Sequence, residues 1–440
     1  MSKPKKFQTL KGFRDILPEH QKFWNFVFEK VKDIAQDYSY QKIDTPILES
    51  AELFERTVGQ TTDIVEKEMF VFKDKGGEKV TLRPEMTAPV ARAYIEHGMI
   101  SWPQPVKLWY WGPVFRYDRP QAGRYRQFYQ FGFEVLGGSS PDIDSQLIIM
   151  SNHLYKSFGL DVEVQINSIG CPGCRKEYIK SLTKFLKDKK LCADCRRRLS
   201  VNPLRILDCK EKKCREAVSE APQIIDSLCE ECRDHFVKVL EGLDESEVVY
   251  NLNPFLVRGL DYYNRTTFEF YLSDEEVASQ NALGGGGRYD YLVEQLGGRP
   301  TPAIGFAGGV ERVVLKIKEK GIKIKDQTQA DVFVAQLGEE AKKKCLKLFN
   351  DLRKEGIKVR ESFSKKGLTE QLERANQMKV KYTLILGQKE LLDGTIIIRD
   401  MESGIQEIVD FEKVIPEIKK RILGVNGGVK IYSESAPSKS

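Results

Sequence analysis

Apolar residues recur at helical spacing over residues 20–38, where Phe23, Val27, Val31, Ile34 and Tyr38 share one face, so the chain should begin with an amphipathic helix. The following YQKIDTPILES is β-like, and Pro46 inside it argues for an edge strand or a bulge. From 80 to 136 the pattern predicts strands around one helix: KVTLRPEMTAPVARAYIEHG, then VKLWYWGPVFRYD, then RQFYQFGFEVLG. The polar DRPQAGRY between the last two suits an antiparallel connection. Residues 171–235 change to helix-like text rich in Lys, Arg and Glu, as an inserted subdomain would. Strand text returns in LVRGLDYYNRTTFEFYL, passes through LGGGGRYDYL and ends in PAIGFAGGVERVVLKI, an apolar strand entering a helix. Lys316–Asp326 reads as a charged linker. Beyond it DVFVAQ, a helix through Leu346, Phe349 and Leu352, IKVRES, a helix around LTEQLERANQM and YTLILG alternate as βαβαβ, followed by TIIIRD and IQEIVD. The small, polar residues of 426–440 predict a flexible tail.

At 440 residues the chain has room for two or three domains of ~150 residues. A composition of 41% hydrophobic and 30% charged residues excludes disordered, collagen-like and disulfide-scaffold classes. The net charge of +6 permits a polyanionic partner without demanding one. No apolar run approaches the ~18 residues of a membrane span. The N-terminal MSKPKKFQTLKGFRDILPEH lacks the apolar core of a secretory signal, so a cytoplasmic location is expected. In that compartment the nine cysteines read as thiols or metal ligands before disulfides.

Eight of the nine crowd into the insertion. Cys171/Cys174, Cys192/Cys195 and Cys229/Cys232 are CxxC pairs, and Cys209/Cys214 is a looser fourth. By spacing alone this is a strong zinc signal, with thiolates enough for one or two tetrahedral sites. Cys345 falls on an apolar helix face with Leu348 and Leu352 and reads as core filling. His20, His97, His153 and His235 have no evident carboxylate or cysteine partner and read as structural.

The period of two in RQFYQFGFEV puts Phe128, Gln130, Gly132 and Glu134 on one face and Tyr129, Phe131, Phe133 and Val135 on the other. The second is an ordinary core face; the first carries an aromatic plate, an amide, a gap and a carboxylate in line. Arg116 in the partner strand can join that face. A solvated face with an incidental ion pair is the plainer reading of one strand. It weakens as Glu85, Arg258, Tyr262, Tyr263 and Arg312 accumulate in neighbouring strand-like text. Arginines aimed into a cleft suit a polyphosphate, a free phenyl face suits a purine, and the carboxylates suit an ammonium or a ring N–H. No Walker loop is present, and GGGGRYD does not complete GxGxxG, so the glycines at 284–287 read as sites of close backbone approach.

Together these segments resemble the class II aminoacyl-tRNA synthetases, and the histidyl-tRNA synthetase family in particular, from KGFRDILP to the C-terminal α/β segment. YQKIDTPILE resembles the family's motif 1 at a dimer interface, FRYDRPQAGRYRQFYQFGFEVLG its motif 2 and PAIGFAGGVERVVL its motif 3. LVRGLDYYNRTTFEF and GGGGRYDYLVEQLGG resemble its histidine-specific signatures. The resemblance implies an α+β catalytic domain over 1–325 with a mainly antiparallel sheet and a helical insertion at about 171–245. It implies an anticodon-binding α/β domain over 327–425. It also implies that Glu85, Thr87 and Gln130 hold the α-amino group of histidine, that Glu134 and Tyr263 bind its ring nitrogens with Tyr262 beside them, and that Phe128 stacks on adenine. Arg124 and Arg312 would bind the outer phosphates of ATP, and Arg116 and Arg258, the implied catalytic pair, would flank the α-phosphate. Substrates would be ATP with Mg²⁺, L-histidine and tRNA(His), and the chain would form a homodimer. RNA contact would draw on basic patches such as Lys189–Arg198 and Lys342–Lys347. The family is not generally built around a metal, so no residue is assigned as a metal ligand, although zinc fits the cysteine spacing. The main rival is the related regulatory subunit of ATP phosphoribosyltransferase; Arg116, Arg258 and Arg312 and the C-terminal domain argue against it. RGLDYY and Glu134 argue against a synthetase for proline or threonine.

Overall fold

The two longest alternating segments, Val106–Phe115 and Gln127–Leu136, pair antiparallel along their full length and found an eight-stranded sheet. In this computed structural model the described residues are 6–60, 62–120, 123–275, 281–324, 330–364 and 367–423. The tail expected over 426–440 and the end of the expected linker lie outside them. The sheet order is Gln41–Lys42, Val106–Phe115, Gln127–Leu136, Ala303–Gly309, Gly284–Arg288, Asn264–Leu272, Val162–Ser168, Tyr250–Leu252. Neighbours run antiparallel except at the two outer pairs.

One face of the sheet carries Trp109, Phe131, Phe133, Val135, Phe268, Phe270 and Phe306 into a core with the helices Pro18–Asp37, Pro141–Ser157, Glu230–Glu245 and Val310–Glu319. That is the core face expected from the alternation in 127–136. The opposite face is covered by the helix Thr87–Glu96 and the segment 256–263, and it bears the candidate site. Strand Gly284–Arg288 lies at the centre because its glycines admit close neighbours. A Cβ at Gly286 would stand 2.0 Å from the carbonyl oxygen of Gly305.

Pro46 separates two strands that belong to different sheets. Gln41–Lys42 joins the main sheet, while Leu48–Ser50 joins a three-stranded sheet with Lys79–Leu82 and Phe70–Lys73. Arg83 pins this break: its guanidinium donates to the carbonyls of Thr45 (2.5 Å), Pro46 (3.2 Å) and Pro113 (2.9 Å).

The insertion consists of short helices, Pro172–Leu186, Ala193–Val201 and Lys212–Val218, with 3₁₀ turns between them. The helix Glu230–Glu245 that follows buries Phe236, Val239 and Leu243 in the core under the sheet. The expected linker starts too early. Val310, Val313, Val314 and Ile317 form one buried stripe, so the helix continues to Glu319 through the charged text.

The chain divides into two compact units at Ile324/Lys325. The second has the strand order Val359–Glu361, Val332–Gln336, Tyr382–Leu386, Thr395–Asp400, Gln406–Asp410, parallel in the first three and antiparallel after. Helix Glu339–Lys354 buries Ala341, Cys345, Leu348 and Leu352. Leu346, expected on that face, points outward because it lies about 100° around the helix from Cys345. The helix Val414–Leu423, hidden in the sequence by its proline and mixed charge, closes the unit with Val414 and Ile418 in the core. No described helix is long and apolar enough to cross a membrane.

Candidate active site

A cavity of about 280 Å³ opens over the Phe128–Gln130 face of the sheet. Glu85, Thr87, Arg116, Arg124, Phe128, Gln130, Arg258, Tyr262, Tyr263 and Arg312 all line it, although they come from segments up to 227 residues apart in the chain. Strand alternation supplies Phe128 and Gln130, a helix N-terminus supplies Thr87, and the first turn of Val310–Glu319 supplies Arg312.

One end of the cavity is acidic and hydroxyl-rich. Glu85 is buried and accepts the backbone amides of Thr87 (2.7 Å) and Ala88 (2.9 Å), which locks its carboxylate against the start of a helix. Burial pushes its pKa up, opposed by those two amides and by Arg116. The Oε1 atom of Gln130 is buried and accepts no hydrogen bond among the described residues, so it offers a free acceptor beside Glu85 to an incoming N–H.

Glu134, expected to touch the substrate ring, lies under the cavity floor and does not line it. Its Oε1 accepts Thr87 Oγ1 (2.7 Å) and Tyr110 Oη (3.2 Å), and its Oε2 accepts Tyr289 Oη (2.5 Å). Gly305 makes room for it, since a Cβ there would stand 1.7 Å from Oε2. Burial, with the nearby charge of Glu85, raises the pKa of Glu134 to about 8 against the pull of the donated hydroxyls. Its influence reaches the cavity through Thr87 and Tyr110, both of which line it.

The other end is cationic. Arg116 donates from Nε to the carbonyl of Pro84 (2.8 Å) and lies 5.7 Å from the ring centre of Phe128. Arg312 donates to the carbonyl of Ala282 (2.5 Å), and Arg124 pairs with Asp118. Burial lowers the pKa of Arg312, and the positive charges of Arg124 and Arg116 lower it further. Three guanidiniums that repel one another in a cleft form a site for an anion of several charges. Arg258 pairs with Glu269 and lies over the ring of Tyr263 at 5.6 Å.

Glu269 was missed from the sequence, although the period of two in TTFEFYL puts it on the same face as Thr267 and Tyr271. Glu311 was missed too; it is buried, accepts the amide of Tyr129 at 3.0 Å, and burial raises its pKa to about 7. Tyr110 and Tyr289 were hidden by their ordinary strand and turn contexts. His235 has the carboxylate partner that the sequence did not reveal: its Nε2 lies 2.9 Å from Asp144, which is 91 positions away. Asp144 also accepts Thr266 (2.7 Å) and fully buried Arg288 (2.8 Å), a network on the core side of the sheet away from the cavity.

A second cavity of about 810 Å³ adjoins the first, shares Arg116, Arg124 and Arg312 with it, and is walled by the insertion. Arg198 and Arg205 reach Asp63 at 3.1 and 2.8 Å, and Asn202 reaches Asp261 at 3.0 Å. The basic patch at 189–198 is therefore partly committed to holding the insertion on the catalytic unit.

Residues 12–313 match the family model described as "Histidyl-tRNA synthetase", and residues 331–421 match that of an "Anticodon binding domain". A histidine–tRNA ligase of Dehalococcoides mccartyi is 46% identical over 419 residues, which cover 94% of this chain and 100% of that protein. The crystal structure of apo S. aureus histidyl-tRNA synthetase superposes with a TM-score of 0.80 at 37% identity, covering 94% of this chain and 100% of that one. A Bacillus halodurans structure described as an ATP phosphoribosyltransferase regulatory subunit/histidyl-tRNA synthetase shares the fold, at a TM-score of 0.63 and 24% identity over 88% of this chain and all of that one. With a cavity of this chemistry and a match spanning both units, the chain belongs to the histidyl-tRNA synthetase family.

Proposed function

We infer that this chain is a ligase that activates L-histidine with ATP to histidyl-adenylate and transfers the histidyl group to the 3′ end of tRNA(His). The observation that carries the reading is the polarity of the cavity: buried acceptors at one end and three mutually repelling arginines at the other. The histidine ammonium would sit between Glu85 and Gln130, with its ring toward Tyr262 and Tyr263 over the hydroxyl network of Glu134. Adenine would stack on Phe128. ATP would enter as its magnesium salt, since the metal offsets phosphate charge, with its outer phosphates on Arg124 and Arg312.

The histidine carboxylate then attacks the α-phosphorus, the bond to the β-phosphate oxygen breaks, and pyrophosphate leaves. Negative charge grows on the α-phosphate oxygens, where Arg116 and Arg258 stabilise the transition state more than the bound substrates. In the second half-reaction a terminal ribose hydroxyl of the tRNA attacks the carbonyl carbon and AMP departs. The second unit, with its anticodon-binding match, would grip the far end of that tRNA.

A second copy of the chain would cover the three-stranded sheet, whose two outer strands expose Leu48, Val71 and Phe72, with exposed Ile47 just before the first. The regulatory-subunit reading is less supported, because Arg116, Arg258 and Arg312 all face the cavity and the C-terminal match is present. The test is exchange of labelled pyrophosphate into ATP with each of the twenty amino acids. Exchange should depend on histidine, and comparable exchange with proline or threonine would overturn the assignment.

A further inference from the structure

The eight cysteines of the insertion, far apart in sequence, fold into two separate groups. Cys171, Cys174, Cys229 and Cys232 form one, Cys192, Cys195, Cys209 and Cys214 the other, and within each group all four sulfurs lie within 4.8 Å of one another. A tetrahedral zinc with Zn–S bonds of ~2.3 Å sets its sulfurs ~3.8 Å apart. The Sγ atoms of Cys171 and Cys174 are 3.6 Å apart, and those of Cys192 and Cys209 are 3.9 Å apart. All eight are free thiols.

Backbone amides point at these sulfurs as they do where a thiolate is held. Cys229 N donates to Cys174 Sγ (3.1 Å), Cys192 N to Cys214 Sγ (3.2 Å) and Cys195 N to Cys192 Sγ (3.3 Å). Cys171, Cys192 and Cys229 each stand at the N-cap position of a helix, where the dipole favours negative charge. Gly170 turns directly over the first group in a left-handed conformation, φ +64°, and a Cβ on it would stand 2.5 Å from that of Cys174. The segment that carries the second group has only short helices, of nine and seven residues in Ala193–Val201 and Lys212–Val218. Helices of that length do not hold their shape in water without tertiary support.

We propose that the insertion binds two structural zinc ions, one on Cys171, Cys174, Cys229 and Cys232 and one on Cys192, Cys195, Cys209 and Cys214. The first fastens the point where the insertion leaves the catalytic sheet to the point where it returns. The second fixes the segment that carries Arg198, Asn202 and Arg205 onto Asp63 and Asp261, and with it the wall of the larger cavity. Each site forms four Zn–S bonds and releases the protons of its thiols, and neither has an open position for a substrate.

The experiment is elemental analysis of the full-length chain purified without added metal, alongside C229S and C192S. These variants alter the least buried thiol of the first group and a half-exposed one of the second. The wild type should hold about two zinc ions per chain and each variant about one. Protein loaded with cobalt(II) should show the sulfur-to-cobalt charge-transfer and visible bands of a tetrahedral tetrathiolate. Should either variant fail to fold, a mercurial titration of the wild type decides instead: zinc should be released at about four thiols per ion. Background zinc that persists after refolding with the metal, iron with labile sulfide in its place, disulfides among these cysteines, or a zinc content unchanged in both variants would each overturn the proposal.

Discussion

The enclosed carboxyl of Glu134 gives stability a pH dependence that can be isolated by one substitution. In the unfolded chain the group titrates near 4.5, and in the folded chain near 8. Below the lower value both states carry the proton, and above the higher one neither does. Between them only the folded state holds it, so the unfolded state binds fewer protons and stability falls as pH rises. At about 1.4 kcal/mol per pH unit the full interval amounts to about 5 kcal/mol, nearly all of it lost by pH 8. Glu134→Gln keeps the shape of the protonated acid and removes the titration. The variant should therefore melt with the wild type near pH 5 and above it at pH 8, by on the order of 5–10 °C for a unit of this size. Glu311 is also raised by burial, but both proteins retain it, so it cancels in the comparison, whereas Glu85 is electrostatically linked to Glu134 and its own titration changes with the substitution. The assay is a series of thermal melts by circular dichroism from pH 5 to 8.5 at fixed ionic strength and scan rate. A difference between the two proteins that stays constant across that range would refute the assignment of a high pKa to Glu134.

Arg116→Ala and Arg258→Ala should each slow single-turnover adenylate formation by roughly 10²–10³, the usual loss of one transition-state charge stabiliser, and Arg258→Ala should also lower the melting temperature because it strands the largely buried Glu269; an unaltered rate would remove that residue from the α-phosphate. Gly286→Ala should destabilise the sheet by about 3 kcal/mol or more, because the new Cβ would meet the backbone carbonyl of Gly305, which cannot swing aside as a side chain can; a melting temperature within a degree of wild type would contradict the close approach. A chain ending at Ile324 keeps every residue of the cavity and should retain part of its pyrophosphate exchange while losing most of its aminoacylation. Equal loss of both in a soluble, dimeric truncation would contradict that division of labour.

The legible parts of this molecule are those where one periodicity dominates. The alternation in 127–136 separated the core face from the site face, and the glycines at 284–287 were readable as close contacts because no other residue type would be repeated there. What escaped was long-range pairing. His235 and Asp144 look unremarkable until the helices Glu230–Glu245 and Pro141–Ser157 pack together, and Glu269 looks like an interruption until Arg258 is set beside it. Glu134 was read on the correct face yet one layer too shallow. The sequence could not show that Gly305 leaves a hole beneath it, or that the hydroxyls of Thr87, Tyr110 and Tyr289 would converge there. The boundary near 316 failed for a related reason, since charged residues on the outer face hid an unbroken apolar stripe.

That depth has a consequence for how such a cavity would select its substrate. A carboxylate exposed on the cavity wall would attract any cation, whereas Glu134 presents itself only through oriented hydroxyls. A hydroxyl can donate or accept, so it suits a ring with one N–H and one bare nitrogen better than it suits a lysine or arginine head. Burial holds Tyr110, Tyr262 and Tyr289 well above the ordinary phenol range, so these groups remain intact hydroxyls at any working pH. The strongly charged groups are kept for the two ends: Glu85, locked on a helix start, and the arginines, of which Arg124 and Arg258 carry carboxylate partners while the pKa of Arg312 is held down by burial and by its cationic neighbours. In the proposed binding mode an amino acid would enter with its ammonium toward Glu85 and its carboxylate toward Arg116 and Arg258. On that proposal its carboxylate oxygen would face the phosphorus it must attack, and orientation and charge stabilisation would come from the same groups.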